Sequence, residues 1–173
     1  MKTDKILLPE KKILQRVQEL GHQITYDYQG QDFLLICVLK GALVFLADLM
    51  RSIDANPDLD FVQISSYGDR TESSGNIEFR REHTIDVSGR NVIIVDDIID
   101  TGLTLSCLKE YLLSKKPLSL RTCVLLSKPD RRKIQLDVDY IGFEIPDEFV
   151  VGYGLDFNEK YRGLRHIVTL RTA

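Results

Sequence analysis

The chain has 173 residues, 43% of them apolar and 28% charged, with a formal net charge of −3 and a pI near 5.6. That length suits one ordinary domain, residues 1–173, with a core of its own. The mild acidity speaks against a dedicated nucleic-acid binder, and no apolar run nears the roughly 20 residues that cross a bilayer.

The opening MKTDKILLPEKK lacks the apolar stretch of a secretory signal. Cys37, Cys107 and Cys123 each sit among apolar residues, share no metal-like spacing, and read as small core residues in a reducing compartment. A cytoplasmic protein is expected.

From Pro9 the pattern turns helical, with Ile13, Val17, Leu20 and Ile24 on one face. Phe33 to Leu39 (FLLICVL) is a continuous apolar run, as in a strand buried on both faces. Lys40-Gly41 interrupts it, and ALVFLADLM resumes with helical spacing. Phe61 to Tyr67 is a further strand, followed by the polar GDRTESSGNIEF, expected to be an irregular loop or lid. A turn is expected at Ser88-Gly89, a buried strand over Val92 to Val95, and a helix over Leu103 to Leu113. Shorter strands are expected over Thr122 to Leu126, Tyr140 to Phe143, Phe149 to Tyr153 and Ile167 to Leu170. Strands alternating with amphipathic helices imply an α/β domain with a mostly parallel twisted sheet, the last strands forming a small subdomain.

The stretch Asn91 to Leu105, NVIIVDDIIDTGLTL, is the most informative. It drives a greasy strand into three acids, which repel one another and are costly to bury unpaired. Ligands of open parallel sheets bind at the carboxyl edge of the strands, where Asp96 and Asp97 fall. The turn at Asp100-Thr101-Gly102-Leu103-Thr104 aims free backbone N–H groups at one point, a fitting cradle for a phosphate monoester. The carboxylates would accept from vicinal sugar hydroxyls or hold Mg²⁺. Together these describe a ribose 5-phosphate site. The plain alternative makes Asp96 and Asp97 exposed loop residues and Asp100 a helix N-cap.

VIIVDDIIDTGLTL resembles the phosphoribosyl-diphosphate signature of the type I phosphoribosyltransferases. Leu39-Lys40-Gly41 resembles the family's pyrophosphate loop, and Ser66-Tyr67-Gly68 the start of its lid. Lys128, with GFEIPDEFVVGYGLDFNEKYRGL from Gly142 to Leu164, is similar to the 6-oxopurine branch, which handles hypoxanthine and guanine. The likeness runs in order over Leu7 to Leu170.

The resemblance implies transfer of a phosphoribosyl group from 5-phosphoribosyl 1-diphosphate to N9 of a purine base, releasing pyrophosphate, with Mg²⁺ as cofactor. It places Asp96 and Asp97 on the ribose hydroxyls and one metal, and Asp156 at a second metal beside the base. Asp100 would exchange a proton at N7, while Asp100, Thr101, Gly102, Leu103 and Thr104 wrap the 5-phosphate. Leu103 stands where some relatives carry a basic residue. Ile98, Lys128, Phe149, Val150 and Asp156 would line the purine subsite, with Lys128 donating to O6, Phe149 stacking and Val150 offering main-chain groups. Leu39, Lys40, Gly41 and Arg162 would bind pyrophosphate, and relatives often have a cis peptide at the place of Leu39-Lys40. A homodimer or homotetramer is expected, with no nucleic-acid or membrane partner.

Rival readings fare worse. A receiver domain also uses an acid pair and a Lys-Pro, here Lys128-Pro129, but its acids belong on the first strand. A Walker A hydrolase needs G-x-x-x-x-G-K-[ST], which is missing. A non-catalytic regulator of the same fold would be expected to lack residues such as Asp100, Lys128, Phe149 and Asp156. His22, His83 and His166 have no metal or triad spacing and are assigned structural or surface places.

Overall fold

Continuous apolar runs make continuous strands only where both faces of a sheet are covered, and this sheet is covered on both. The computed structural model describes residues 2–66 and 77–171. Its strands are β1 (Lys2–Leu8), β2 (Phe33–Leu39), β3 (Asp58–Ser66), β4 (Ile77–Arg81), β5 (Asn91–Ile99), β6 (Ser119–Ser127), β7 (Tyr140–Glu144), β8 (Val150–Val151) and β9 (Ile167–Arg171). The helices are α1 (Glu10–Asp27), α2 (Leu43–Ser52) and α3 (Leu103–Ser114).

Six strands form the main sheet in the order β4-β3-β2-β5-β6-β7. All neighbours run parallel except β4, an antiparallel edge on β3. Successive side chains of a strand point to opposite faces, and the core divides accordingly. Leu35, Cys37, Ile93, Val95, Cys123 and Leu125 pack under α1 and α2. Leu34, Ile36, Val92, Ile94 and Val124 pack under α3, through Leu105, Leu108 and Leu112. Cys37 and Cys123 are buried, which pushes both thiols far above their ordinary range, and none of Cys37, Cys107 and Cys123 is in a disulfide.

A second, antiparallel sheet joins both ends of the described chain in the order β1-β9-β8. Thus the small subdomain includes an N-terminal strand as well as the expected late ones. The expected strand over Phe149 to Tyr153 shrinks to Val150–Val151, because Gly152 turns back to exchange backbone hydrogen bonds with Leu155. Part of the expected irregular stretch, Ile77 to Phe79, belongs to β4. Among the described residues no helix is long and apolar enough to cross a membrane.

Asp60 ties the approach to β5 onto β3. It is 3% exposed and accepts hydrogen bonds from the N–H groups of Phe61, Thr84 and Ile85 and from the Thr84 hydroxyl. Burial would raise its carboxyl, but the donors of Ile85, Phe61 and Thr84 outweigh burial and hold it below the usual range.

Candidate active site

The ladder around β5 explains why a strand ends in acids. Its pairing with β2 stops at Val95, whereas its pairing with β6 continues through Asp96 and Ile98 to Ile99. The acids therefore belong to the strand, not to a turn beyond it, with one edge of their backbone released from pairing to β2.

The Lys40-Gly41 turn leaves β2 beside that edge, and its Leu39-Lys40 peptide is cis. A Cβ on Gly41 would lie 1.6 Å from Oδ2 of Asp97, and one on Gly154 would lie 2.1 Å from the Gly41 carbonyl oxygen. Three distant segments thus meet where side chains are lacking. Leu39 is half-buried and Lys40 exposed.

Asp96 and Asp97 are half-buried neighbours, and the Asp97 N–H donates to Asp96 Oδ1 at 2.9 Å. Desolvation, then the repulsion of Asp97, pushes Asp96 well above the usual carboxylate range. Desolvation raises Asp97 too, against the opposing effects of Asp96, nearby N–H groups and the Arg162 charge. Neither acid has a salt bridge among the described residues.

After β5 the chain turns through Asp100 and Thr101 into α3. The N-cap is Gly102, at φ 85° with no side-chain cap, so Asp100 is not the cap. A left-handed residue here strongly favours glycine. The Thr101 hydroxyl accepts from the Leu103 N–H at 3.4 Å. A cavity of about 100 Å³ opens here, lined by Asp96, Ile98, Asp100, Thr101, Gly102 and Thr104 among others. Asp100 Oδ1 is buried and has no hydrogen-bond donor, although Arg131 Nε forms a close, misaligned ion pair with it at 2.9 Å.

Lys128 follows β6 and is 5% exposed, so it is no ordinary surface lysine. Its N–H donates to the Ile99 carbonyl at 3.0 Å, and its Nζ lies 3.8 Å from Asp147 Oδ1. Phe149 is 53% exposed, its ring edge-on to Phe157 at 5.7 Å, and Val150 is buried in β8. An aromatic ring this exposed and a lysine this buried are both unlike ordinary core and surface placement.

Arg162 donates to the Gly154 carbonyl at 2.8 Å and pairs with Asp156 at 2.8 Å and Glu159 at 3.1 Å. Glu159 also pairs with Lys40 at 3.0 Å. Both oxygens of Asp156 are engaged, one by Arg162 and one by the Glu159 N–H. Tyr153, Asn158, Glu159 and Tyr161 all have positive φ, strain of a kind that gathers at ligand sites.

The fold therefore draws the Lys40-Gly41 turn, the acid strand end, the Asp100–Thr104 turn, Lys128 and the Asp156–Arg162 loop toward the carboxyl ends of the strands. Ser66 ends β3, while Tyr67 and Gly68 of the expected lid lie outside the described residues. No cluster of three or more metal-ligating side chains occurs among the described residues. Sequence reasoning missed Glu159, Arg131, Asp147 and Gly154. Only the paired arginines after Lys128-Pro129-Asp130 offered a signal, a density of charge next to a buried lysine.

A family model described as "Phosphoribosyl transferase domain" matches residues 4–158. The hypoxanthine-guanine phosphoribosyltransferase of Mycobacterium tuberculosis is 48% identical over 171 residues, 95% of this chain and 85% of that protein. That of Bacillus subtilis is 46% identical over 170 residues, covering 98% and 94%. A crystal structure of a hypoxanthine-guanine phosphoribosyltransferase from Bacillus anthracis superposes with TM-score 0.95 at 45% identity, covering 98% of this chain and 100% of that one.

Proposed function

The chain belongs to the phosphoribosyltransferase family, and from that premise we propose that its sheet edge joins a 6-oxopurine to 5-phosphoribosyl 1-diphosphate. The protein is a purine-salvage transferase, giving a nucleoside monophosphate from hypoxanthine or guanine with release of pyrophosphate. The observation that carries the assignment of residues is the convergence of Gly41, Asp97, the Gly102 turn and buried Lys128 on one edge.

Breaking the C1–O bond leaves positive charge on the ribose and negative charge on pyrophosphate, so groups fixed in advance at both places lower the barrier. Asp96 and Asp97 accept from the ribose hydroxyls and face the cationic sugar. The amides of Thr101 to Thr104 take the 5-phosphate at the α3 N-terminus, where Gly102 supplies no side-chain cap and the Leu103 N–H would exchange its long bond to the Thr101 hydroxyl for the phosphate. Leu103 is suited to this because the contact is made by its N–H. Lys40, the Gly41 backbone and Arg162 take pyrophosphate, so Glu159 must give up both cations when it binds.

On the purine, Lys128 donates to O6, a contact adenine cannot match because its amino group is itself a donor. Phe149 stacks on the ring with its exposed face, and Val150 and Ile98 border it. The unsatisfied Oδ1 of Asp100 stands ready for a base N–H, which suits proton exchange at N7.

The acid pair fits Mg²⁺: it is oxygen-only, crowded, and raised by desolvation and mutual repulsion that a cation would relieve. Asp96 and Asp97 would hold the ion largely through water, and Asp156 would share itself between Arg162 and a second ion. Bound Mg²⁺ offsets the charge of the leaving pyrophosphate. We place the enzyme in the cytoplasm as a homodimer or homotetramer.

The test is direct: purified protein with Mg²⁺ and 5-phosphoribosyl 1-diphosphate is offered hypoxanthine, guanine, xanthine, adenine and uracil. Nucleotide from the first two and little from adenine is expected. Equal use of adenine would remove Lys128 from O6 recognition.

A further inference from the structure

O6 and N7 lie side by side on one edge of hypoxanthine and guanine. The groups assigned to them, Lys128 and Asp100, come from different places in the chain: one follows β6, the other follows β5. Their spacing must be held by something else. Arg131 Nε is 2.9 Å from Asp100 Oδ1, and its Nη1 donates to Asp147 Oδ1 at 3.3 Å. That same Asp147 oxygen lies 3.8 Å from Lys128 Nζ. The result is an alternating row of charge, Asp100, Arg131, Asp147, Lys128.

The backbone closes the row into a frame. The Arg131 N–H donates to the Lys128 carbonyl, which fixes both cations on one turn, and the Lys128 N–H donates to Ile99. The N–H groups of Lys133 and Ile134 converge on the carbonyl of Thr101, the residue after Asp100. One short segment thus grips the proton-exchanging turn through Arg131, Lys133 and Ile134 while presenting the lysine. Asp147 brings in the strand-ward end of the loop that carries Phe149, two residues on.

We propose that Arg131 and Asp147 are positioning residues, holding Lys128 and Asp100 at the spacing of the purine's O6–N7 edge. This rests on the purine reading above. A guanidinium fork spans two carboxylates in a fixed plane, which a lysine does not. Without Asp147, two like charges remain on a single turn, and Lys128 loses its only ion-pair partner among the described residues. Arg131, Asp100 and Asp147 are 46%, 38% and 50% exposed in their side chains. Pairs that wet contribute little to stability, so the consequence of breaking them falls on recognition.

Steady-state kinetics of Arg131→Gln, Arg131→Lys and Asp147→Asn, with hypoxanthine, adenine and 5-phosphoribosyl 1-diphosphate each varied, test the proposal. Expected for Arg131→Gln and Asp147→Asn is a KM for hypoxanthine raised about 10-fold or more, as a misplaced contact costs. The hypoxanthine-over-adenine ratio in kcat/KM should fall similarly, and Arg131→Lys should recover part of both. The KM for 5-phosphoribosyl 1-diphosphate should stay within about twofold and Tm within about 4 °C. Base kinetics unchanged in both variants of an active enzyme, or losses that follow Tm and affect both substrates alike, would overturn the proposal alone. A wild-type protein that makes no nucleotide would instead remove the purine reading, and this inference with it.

Discussion

Oδ2 of Asp97 stands 1.6 Å from the place a Cβ of Gly41 would occupy. The Lys40-Gly41 turn and the acid strand end therefore approach this closely because residue 41 is glycine, and Gly154 closes on the carbonyl of Gly41 from another segment. Gly41→Ala would force the Asp97 carboxylate to turn away from its place at the strand end. We predict a fall in kcat/KM of roughly 100-fold or more, since displacements of about 1 Å cost that much. Circular dichroism should remain native. Near wild-type kinetics in this variant would mean that the loop and the acid can separate without consequence.

Lys128→Met keeps the length and removes the charge. The loss of a hydrogen bond from a charged donor, about 1.5–3 kcal/mol, corresponds to roughly 10- to 150-fold in affinity. It should appear in the KM for hypoxanthine and leave that for 5-phosphoribosyl 1-diphosphate alone. Relative use of adenine should rise. Asp147, half exposed, remains solvated, so the fold should tolerate the change. A variant whose two KM values rise together would argue for a structural lysine.

Asp100→Asn leaves shape intact and removes the proton acceptor. General acid–base catalysis is typically worth about 100- to 10,000-fold, and kcat at neutral pH should fall within that range. Equilibrium binding of the nucleotide product, gripped mainly through its phosphate and ribose, should weaken far less than kcat falls. Undiminished turnover would take Asp100 out of proton transfer.

Asp60 gives the acid limb of stability a specific source. Its carboxyl is lower in the folded protein than in the unfolded chain, whose ordinary value is about 3.9. Its contribution is therefore full above that value and lost as pH falls through the folded one. Asp60→Asn should cost about 1–3 kcal/mol at pH 7, because donors from Thr84 and Ile85 lose their acceptor. Denaturant unfolding at a series of pH values should show the gap between variant and wild type closing as pH drops below about 4. A constant gap would contradict the assignment.

How much of this was legible in the chain follows from what each feature depends on. FLLICVL and VIIV announce strands buried on two faces, because both faces of each are apolar. β1 is concealed in KTDKILL, where charges interrupt the pattern and the partner strand, β9, lies at the far end of the chain. β4 is hidden for a similar reason, an edge strand in IEFRR held by one neighbour. The extension of β5 through its acids depends on β6 offering a ladder that β2 does not. Within the site, the turn at Gly102 and the acid pair are local and were readable. The contacts Gly41–Asp97, Lys40–Glu159 and Arg131–Asp100 join separate segments, and no spacing along the chain encodes them.

The central claim is that the sheet edge at Asp96, Asp97 and the Gly102 turn is where the nucleotide sits. A crystal structure of the protein with inosine monophosphate tests it most directly. The account predicts the monoester on the amides of Thr101 to Thr104, the ribose hydroxyls on Asp96 and Asp97, and O6 within hydrogen-bond reach of Lys128 Nζ. Nucleotide bound with its phosphate away from that turn, and no ligand atom near either acid, would contradict it.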